Sequence, residues 1–228
     1  MLQPSRVSAL RQLPSAAQKV APRRHFARGS SGHGWFKQYD DEGAESFVRY
    51  APPTPFDWAK AGKTCTASFN ISIDGDAAGT VKFELLEELL PMTVANFKAL
   101  CTAENPHGFS YAGTAVHRVV KGSSIVAGDV EMKNGTASHS AFADRYFNDE
   151  ALLLPHTCEG IISMVNGGVH TNGSQFYVTT HSSPHLDGYS VAFGRVVEGM
   201  DLVHKVASLF SIRGRTVSPV VIESAALG

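Results

Sequence analysis

The 228-residue chain has no long apolar run. Its most hydrophobic stretches are short and interrupted, such as Ala151-Leu152-Leu153-Leu154 before Pro155. A bilayer-crossing helix needs about 20 apolar residues, so no membrane-spanning segment is expected. Cysteine is scarce as well. Cys65, Cys101 and Cys158 are odd in number, widely spaced and without a C-x-x-C pair, which argues against a disulfide scaffold or a structural zinc site and fits a reducing compartment. The ten histidines fall in no H-E-x-x-H or comparable spacing, so no metal is expected. There is no phosphate-cradling glycine loop and no internal repeat. What the chain does have is apolar bulk: 43% of it is hydrophobic and 18% charged. That is too apolar for a disordered tail and enough to build a sizeable core.

Acidic residues are missing from one region. Residues 1–39 carry Arg6, Arg11, Lys19, Arg23, Arg24, Arg28 and Lys37 with no Asp or Glu, a charge of +7, so the remainder carries -8 and the total of -1 hides a basic leader on an acidic body. Arginines spread through a Ser- and Ala-containing stretch without acids have the composition of an organellar transit peptide rather than a secretory signal, which would need a continuous apolar stretch. Leu10, Leu13, Ala16, Ala17 and Val20 recur three and four apart, so an induced helix would set an apolar stripe opposite Arg11 and Lys19. Arg24-His25-Phe26-Ala27 resembles the Arg-x-aromatic-small pattern at which mitochondrial presequences are cut. A basic arm that touches RNA or an anionic lipid surface would share this composition, but nucleic-acid affinity is not expected of the whole chain. Residues 40–65 read as a linker, acidic at Asp40-Asp41-Glu42 and stiff at Pro52-Pro53-Thr54-Pro55. Trp35, Phe36, Tyr39, Phe47, Phe56 and Trp58 in and beside it are expected to dock on the body or on a partner, since each can bury a large apolar area.

From Thr66 the pattern becomes alternating. Ala67, Phe69, Ile71 and Ile73 share one face, and Val81, Phe83 and Leu85 share another after a turn running from Asp74-Gly75 to about Gly79, which predicts an antiparallel hairpin. Pro91-Met92-Thr93 followed by Val94, Phe97, Leu100 and Cys101 predicts a helix with Thr93 as its cap. Short strands are expected near 114–120, 125–130, 160–165, 175–180 and 191–197, then a helix near 200–208 and a closing strand at 219–224. Many short strands with two helices predict a mainly β domain over 66–228, a closed β barrel without exposed edges. Cys101 is expected in the core and Cys158 at the surface.

Certain segments carry a resemblance. They are Asn96-Phe97-Lys98-Ala99-Leu100, Gly108-Phe109-Ser110-Tyr111-Ala112-Gly113, His117-Arg118-Val119-Val120, Gly160-Ile161-Ile162-Ser163-Met164-Val165-Asn166, Thr171-Asn172-Gly173-Ser174-Gln175-Phe176-Tyr177, Leu186-Asp187-Gly188 and Val191-Ala192-Phe193-Gly194. In this order they resemble the cyclophilin family. The resemblance implies an eight-stranded antiparallel barrel capped by two α-helices. It also implies peptidyl-prolyl cis-trans isomerisation of X-Pro bonds in polypeptides, with no nucleophile, metal or cofactor. The barrier is the double-bond character of the amide, ~18–20 kcal/mol. By resemblance, Arg118 donates to the prolyl nitrogen as it pyramidalises, an interaction available only in the twisted state. Gln175 holds the substrate backbone, Asn166 offers backbone groups, Leu186 lines the pocket, and His117 is structural.

The departures from the family pattern are as informative. Where the family carries an aromatic, a methionine and a glutamine, this chain has Ser123, Ser124 and Val126. The family's tryptophan is His185, its pocket histidine Ser190, its pocket phenylalanine Tyr177 and its small alanine Val165. Proline binding depends on burying the ring at ~25 cal/mol per Å², so weak or absent isomerase activity is expected. The alternative expectation is a non-catalytic cyclophilin-fold subunit of a large mitochondrial complex, tethered through residues 1–65.

Overall fold

A computed structural model describes residues 35–39, 45–49, 55–209 and 211–228. Contacts divide the chain into Met1–Ala51 and Pro52–Gly228. In the first unit, β1 (Trp35–Tyr39) and β2 (Glu45–Arg49) pair antiparallel, from Trp35 opposite Arg49 to Tyr39 opposite Glu45. This hairpin straddles the change from basic leader to acidic linker. The leader's apolar stripe, Arg24-His25-Phe26-Ala27, Asp40-Asp41-Glu42 and Pro52-Pro53-Thr54 lie outside the described residues, as do the side chains of Trp35, Phe36, Tyr39 and Phe47.

The second unit begins as a strap. Phe56 and Trp58 meet edge to face at 5.2 Å and pack against the core, and the Arg195 guanidinium lies 4.1 Å over the Trp58 ring while pairing with Glu84. Two of the six aromatics thus dock on the body itself.

The alternating segments form β3 (Cys65–Ile73) and β4 (Asp76–Leu85). Their turn is shorter than expected, only Asp74-Gly75, with φ of 55° and 87°, the left-handed pair that a two-residue hairpin requires. The rest of the expected turn is strand, interrupted by a bulge at Ile71/Ser72. There the alternation breaks, so Ser72 is buried and Ile73 only half-buried, and the Ser72 hydroxyl finds Glu223. Phe69 points inward and meets Phe83, Phe97, Tyr111 and Phe176, with ring centroids 5.2–5.7 Å apart.

Helix α1 (Pro91–Thr102) buries Val94, Phe97, Leu100 and Cys101, as their spacing requires. Burial pushes the Cys101 thiol up to about 12. All three cysteines are free, and Cys158 is exposed. The expectation that Thr93 caps α1 is corrected. Leu90 occupies the cap position without a side-chain hydrogen bond, Pro91 opens the helix, and the Glu150 carboxylate accepts from the N–H groups of Met92 and Thr93 and from the Thr93 hydroxyl. Orphan donors and the positive end of the helix dipole account for a carboxylate there.

The remaining elements are β5 (Thr114–Ala115), β6 (Arg118–Val120), β7 (Ser124–Ala127), β8 (Ile161–Met164), β9 (Phe176–Thr179), β10 (Ala192–Glu198), α2 (Met200–Ser208), β11 (Ser211–Ile212), β12 (Arg215–Thr216) and β13 (Val220–Leu227). One antiparallel sheet runs β5-β13-β3-β4-β10-β8-β9-β7-β6, with β11 and β12 as a separate hairpin. The expected closed eight-stranded barrel is corrected to a curled, open nine-stranded sheet. Its end strands, β5 and β6, are consecutive in the chain, separated by Val116 and His117. The Val116 N–H donates to Val220 beside β5, and the His117 N–H donates to Val126 on β7, so one bent segment serves both edges and no ladder joins them. The core lies inside the curl. Among the described residues no helix is long and apolar enough to cross a membrane.

Candidate functional site

The strand registers align Arg118 (β6), Val126 (β7), Tyr177 (β9) and Ser163 (β8) side by side across the sheet. Their neighbours Val119, Ile125, Phe176, Val178 and Met164 belong to the core cluster, whereas Val126 and Tyr177 are buried but stand outside it. Alternation therefore puts this row on the outer face. Ser124 shares that face one step along, opposite Val120 and Thr179.

Arg118 is exposed and makes no ion pair or hydrogen bond among the described residues. The turn Arg213-Gly214 lies against it. Gly214 has φ of 84°, its carbonyl accepts from the Val119 N–H at 2.6 Å, and a Cβ there would stand 3.4 Å from the Arg118 Cγ. Glycine leaves room for the arginine stem while the guanidinium stays available.

Gln175 is differently placed. Its side-chain amide nitrogen donates to the carbonyls of Ala137 at 2.7 Å and Gly135 at 3.2 Å, and its main-chain carbonyl accepts from the Val165 N–H. Both amide hydrogens hold the 129–137 loop, so to grip a substrate backbone Gln175 would have to release one. His117 packs where a Cβ on Gly135 would collide with its ring; its Nδ1 is buried without a partner, and burial lowers its pKa.

The other candidates lie on neighbouring loops. Val165 and Asn166 are half-buried just past β8, with the Asn166 amide donating to the Tyr189 carbonyl at 2.7 Å. Ser123 is half-buried in the β6–β7 turn, where its carbonyl accepts from Thr180. Leu186 is half-buried and His185 exposed in a 3-10 turn, Pro184–Leu186. Ser190 is buried, with its hydroxyl beside that of Tyr177. The row of Arg118, Val126 and Tyr177 is thus brought together with Ser190, whereas among the described residues no hydrogen bond joins His185 to it.

Two groups escape sequence reasoning. The buried Asp129 carboxylate accepts from five backbone N–H groups, those of Glu131, Met132, Asn134, Gly135 and Ala137. Burial pushes its pKa up, but those N–H groups outweigh burial and hold it below the ordinary value. The turn-forming Lys133-Asn134-Gly135-Thr136 after Asp129 is the only signal of this loop in the sequence. The second group is a buried chain. His156, fully buried, donates its backbone N–H and Nδ1–H to one oxygen of Asp187, each at 2.8 Å. Its Nε2 meets the Ser163 hydroxyl at 2.7 Å and the Tyr177 hydroxyl at 3.1 Å. With Nδ1–H directed at a carboxylate, the neutral ring accepts at Nε2. Burial lowers the His156 pKa more than Asp187 raises it, and pushes Tyr177 up to about 12.

Asp187, His156 and Ser163 have the connectivity of an activated serine. Ser163 and His156 are both 0% exposed, however, so no substrate carbonyl can reach the hydroxyl. The outer face offers different chemistry: one unpaired exposed cation beside a flat, buried, partly polar floor. A guanidinium so placed can stabilise a nitrogen lone pair that develops when an amide twists.

Residues 68–227 match the family described as Cyclophilin type peptidyl-prolyl cis-trans isomerase/CLD. With 160 matched positions in a chain of 228, the chain belongs to the cyclophilin-type peptidyl-prolyl cis-trans isomerase family.

Proposed function

We propose that this cyclophilin-type domain binds X-Pro segments of polypeptides on the row around Arg118 and isomerises them only weakly. The observation that carries the reading is the row itself. Arg118 is exposed and unpaired next to Val126 and Tyr177, which supports retained amide chemistry. Beside it, hydroxyls of Ser123 and Ser124 replace the aromatic and methionine side chains that the family uses to wall a proline ring, and Ser190 replaces its pocket histidine. An emptied wall worth ~2–3 kcal/mol lowers affinity or rate by about 30- to 150-fold, and several such losses share one pocket and do not simply add. Gln175 supports the row from behind by holding the 129–137 loop. A coupled peptide assay tests this: kcat/KM is expected more than about tenfold below that of a standard family member, with Arg118→Ala removing most of what remains. Activity within tenfold of the standard, or insensitivity to Arg118→Ala, overturns it.

A second reading is a subunit role in a large mitochondrial assembly. The mitochondrial address rests on the acid-free basic leader, and the tether on residues 1–65. The β1–β2 hairpin favours this reading, because a two-stranded hairpin is marginal in water without a surface to cover it. Co-migration of the native protein with a large complex in organellar extract is the expected result; migration as a free monomer would remove this reading.

A further inference from the structure

A cavity of about 500 Å³ lies beside the candidate row and meets it at Ser190. One wall is Pro55 and Phe56, from the strap that precedes the matched residues 68–227. The facing wall includes Leu152 and Leu153, which are 46% and 54% exposed although they are consecutive leucines. Adjacent exposed leucines in a concave wall leave apolar surface in water that a ligand would cover. The volume and the mostly apolar lining fall in the range of ligand sites, which run roughly 300–1,000 Å³ with a few placed polar groups.

The polar groups select the sign of the ligand. Asp57 and Lys60 neutralise one another at 2.9 Å. Asp187, at the end that carries Ser190, faces the neutral His156 through one oxygen, while its other oxygen, Oδ2, is buried and accepts no hydrogen bond. The Asp187 side chain is 22% exposed and lines the cavity, and among the described residues no Lys or Arg pairs with it.

We propose that this cavity is a second subsite of the polypeptide-binding face, taking an apolar side chain whose neighbour in the same segment is Arg or Lys. The apolar side chain covers Leu152 and Leu153, and the cation approaches Asp187. The subsite deepens the proline-face reading and rests on it for the direction from which the segment arrives, across Ser190.

Fluorescence anisotropy on the full chain tests the subsite with labelled peptides: a parent containing Ala-Pro, the parent extended by Leu-Arg on either side, the same extension as Leu-Gln, and a Leu-Arg peptide lacking proline. One extended form is expected to bind about tenfold more tightly than the parent, equivalent to about 1.4 kcal/mol. Leu153→Ser, a change at an exposed side chain, is expected to abolish that gain while leaving the parent's affinity unchanged. Asp187→Asn is expected to erase the preference for Leu-Arg over Leu-Gln. No gain from either extension, or a gain that survives Leu153→Ser, overturns the proposal even if Asp187→Asn fails to fold. Arg118→Ala, read by turnover of the parent, separates the two readings: parent turnover that ignores it removes the proline-face reading, whereas the Leu-Arg binding gain, read with and without proline, still decides the subsite.

Discussion

The carboxylate of Glu150 accepts both the backbone N–H and the hydroxyl of Thr93, each at 2.8 Å, together with the N–H of Met92. A loop far along the chain thus supplies what the helix start lacks, an acceptor with negative charge at the positive end of α1. Glu150→Ala is expected to destabilise the fold by about 1–2 kcal/mol. The change is read as a lower urea midpoint at unchanged slope. An unchanged midpoint would mean that packing of Val94 and Phe97 alone holds the helix start.

The body of α1 is legible from the sequence, because Val94, Phe97, Leu100 and Cys101 recur at the helical period and burial follows period. Its cap is not, since nothing local marks Glu150 as the partner of Thr93. The same division runs through the sheet. Strand positions follow from alternation, but the open edge between β5 and β6 depends on how Val116 and His117 bend, and the bulge at Ile71/Ser72 has no residue signature. At the site, the motif residues Arg118, Asn166, Gln175 and Tyr177 are readable from the resemblance. The commitment of the Gln175 amide to Ala137 and Gly135, and the Asp187–His156–Tyr177 chain, join segments distant in sequence and appear only on folding.

Asp129 illustrates such a long-range element in a single side chain. Its two oxygens receive the N–H groups of five residues in the 130–137 loop, and Gln175 pins the same loop from the other side. Asp129→Ala leaves those donors without their acceptor, and hydrogen bonds to charged groups contribute about 1.5–3 kcal/mol each without adding fully. A loss of about 3 kcal/mol in urea unfolding is expected, accompanied by faster amide hydrogen exchange at Gly135 and Ala137. Exchange rates equal to those of the native chain would show that the loop is held without the carboxylate.

Acid stability follows from two histidines, His156 fully buried and His117 half-buried. Burial lowers the pKa of both His117 and His156 in the fold, while each titrates near 6.5 when unfolded. The unfolded chain therefore binds more protons below that value, so their contribution is present above about pH 6.5 and is lost as pH falls through it. Each full proton adds a slope of at most ~1.4 kcal/mol per pH unit. His117→Asn is expected to flatten the fall in urea midpoint between about pH 7 and pH 5. Asp129, held below its ordinary value, acts separately: its contribution is present above about pH 4 and is lost below that. A midpoint independent of pH from 7 to 5 in the native chain contradicts the assignment of both rings as neutral.

Restoring an apolar wall is the most direct trial of why turnover should be weak. Ser123 is half-buried in the turn that leads into β7, beside the row of Arg118, Val126 and Tyr177. An aromatic ring at that position regains apolar contact with a bound proline while leaving Arg118 in place. Recovering ~2–3 kcal/mol of burial corresponds to about a 30- to 150-fold gain. Ser123→Phe is therefore expected to raise kcat/KM on an Ala-Pro peptide by at least about tenfold, allowing for the polar Ser124 and Ser190 that remain. In combination with Arg118→Ala the gain should vanish, because in the proposed function the wall holds the ring and the guanidinium carries the chemistry. A Ser123→Phe variant that folds normally yet turns over no faster would place the deficit elsewhere on the face, with the committed amide of Gln175 the next group to release.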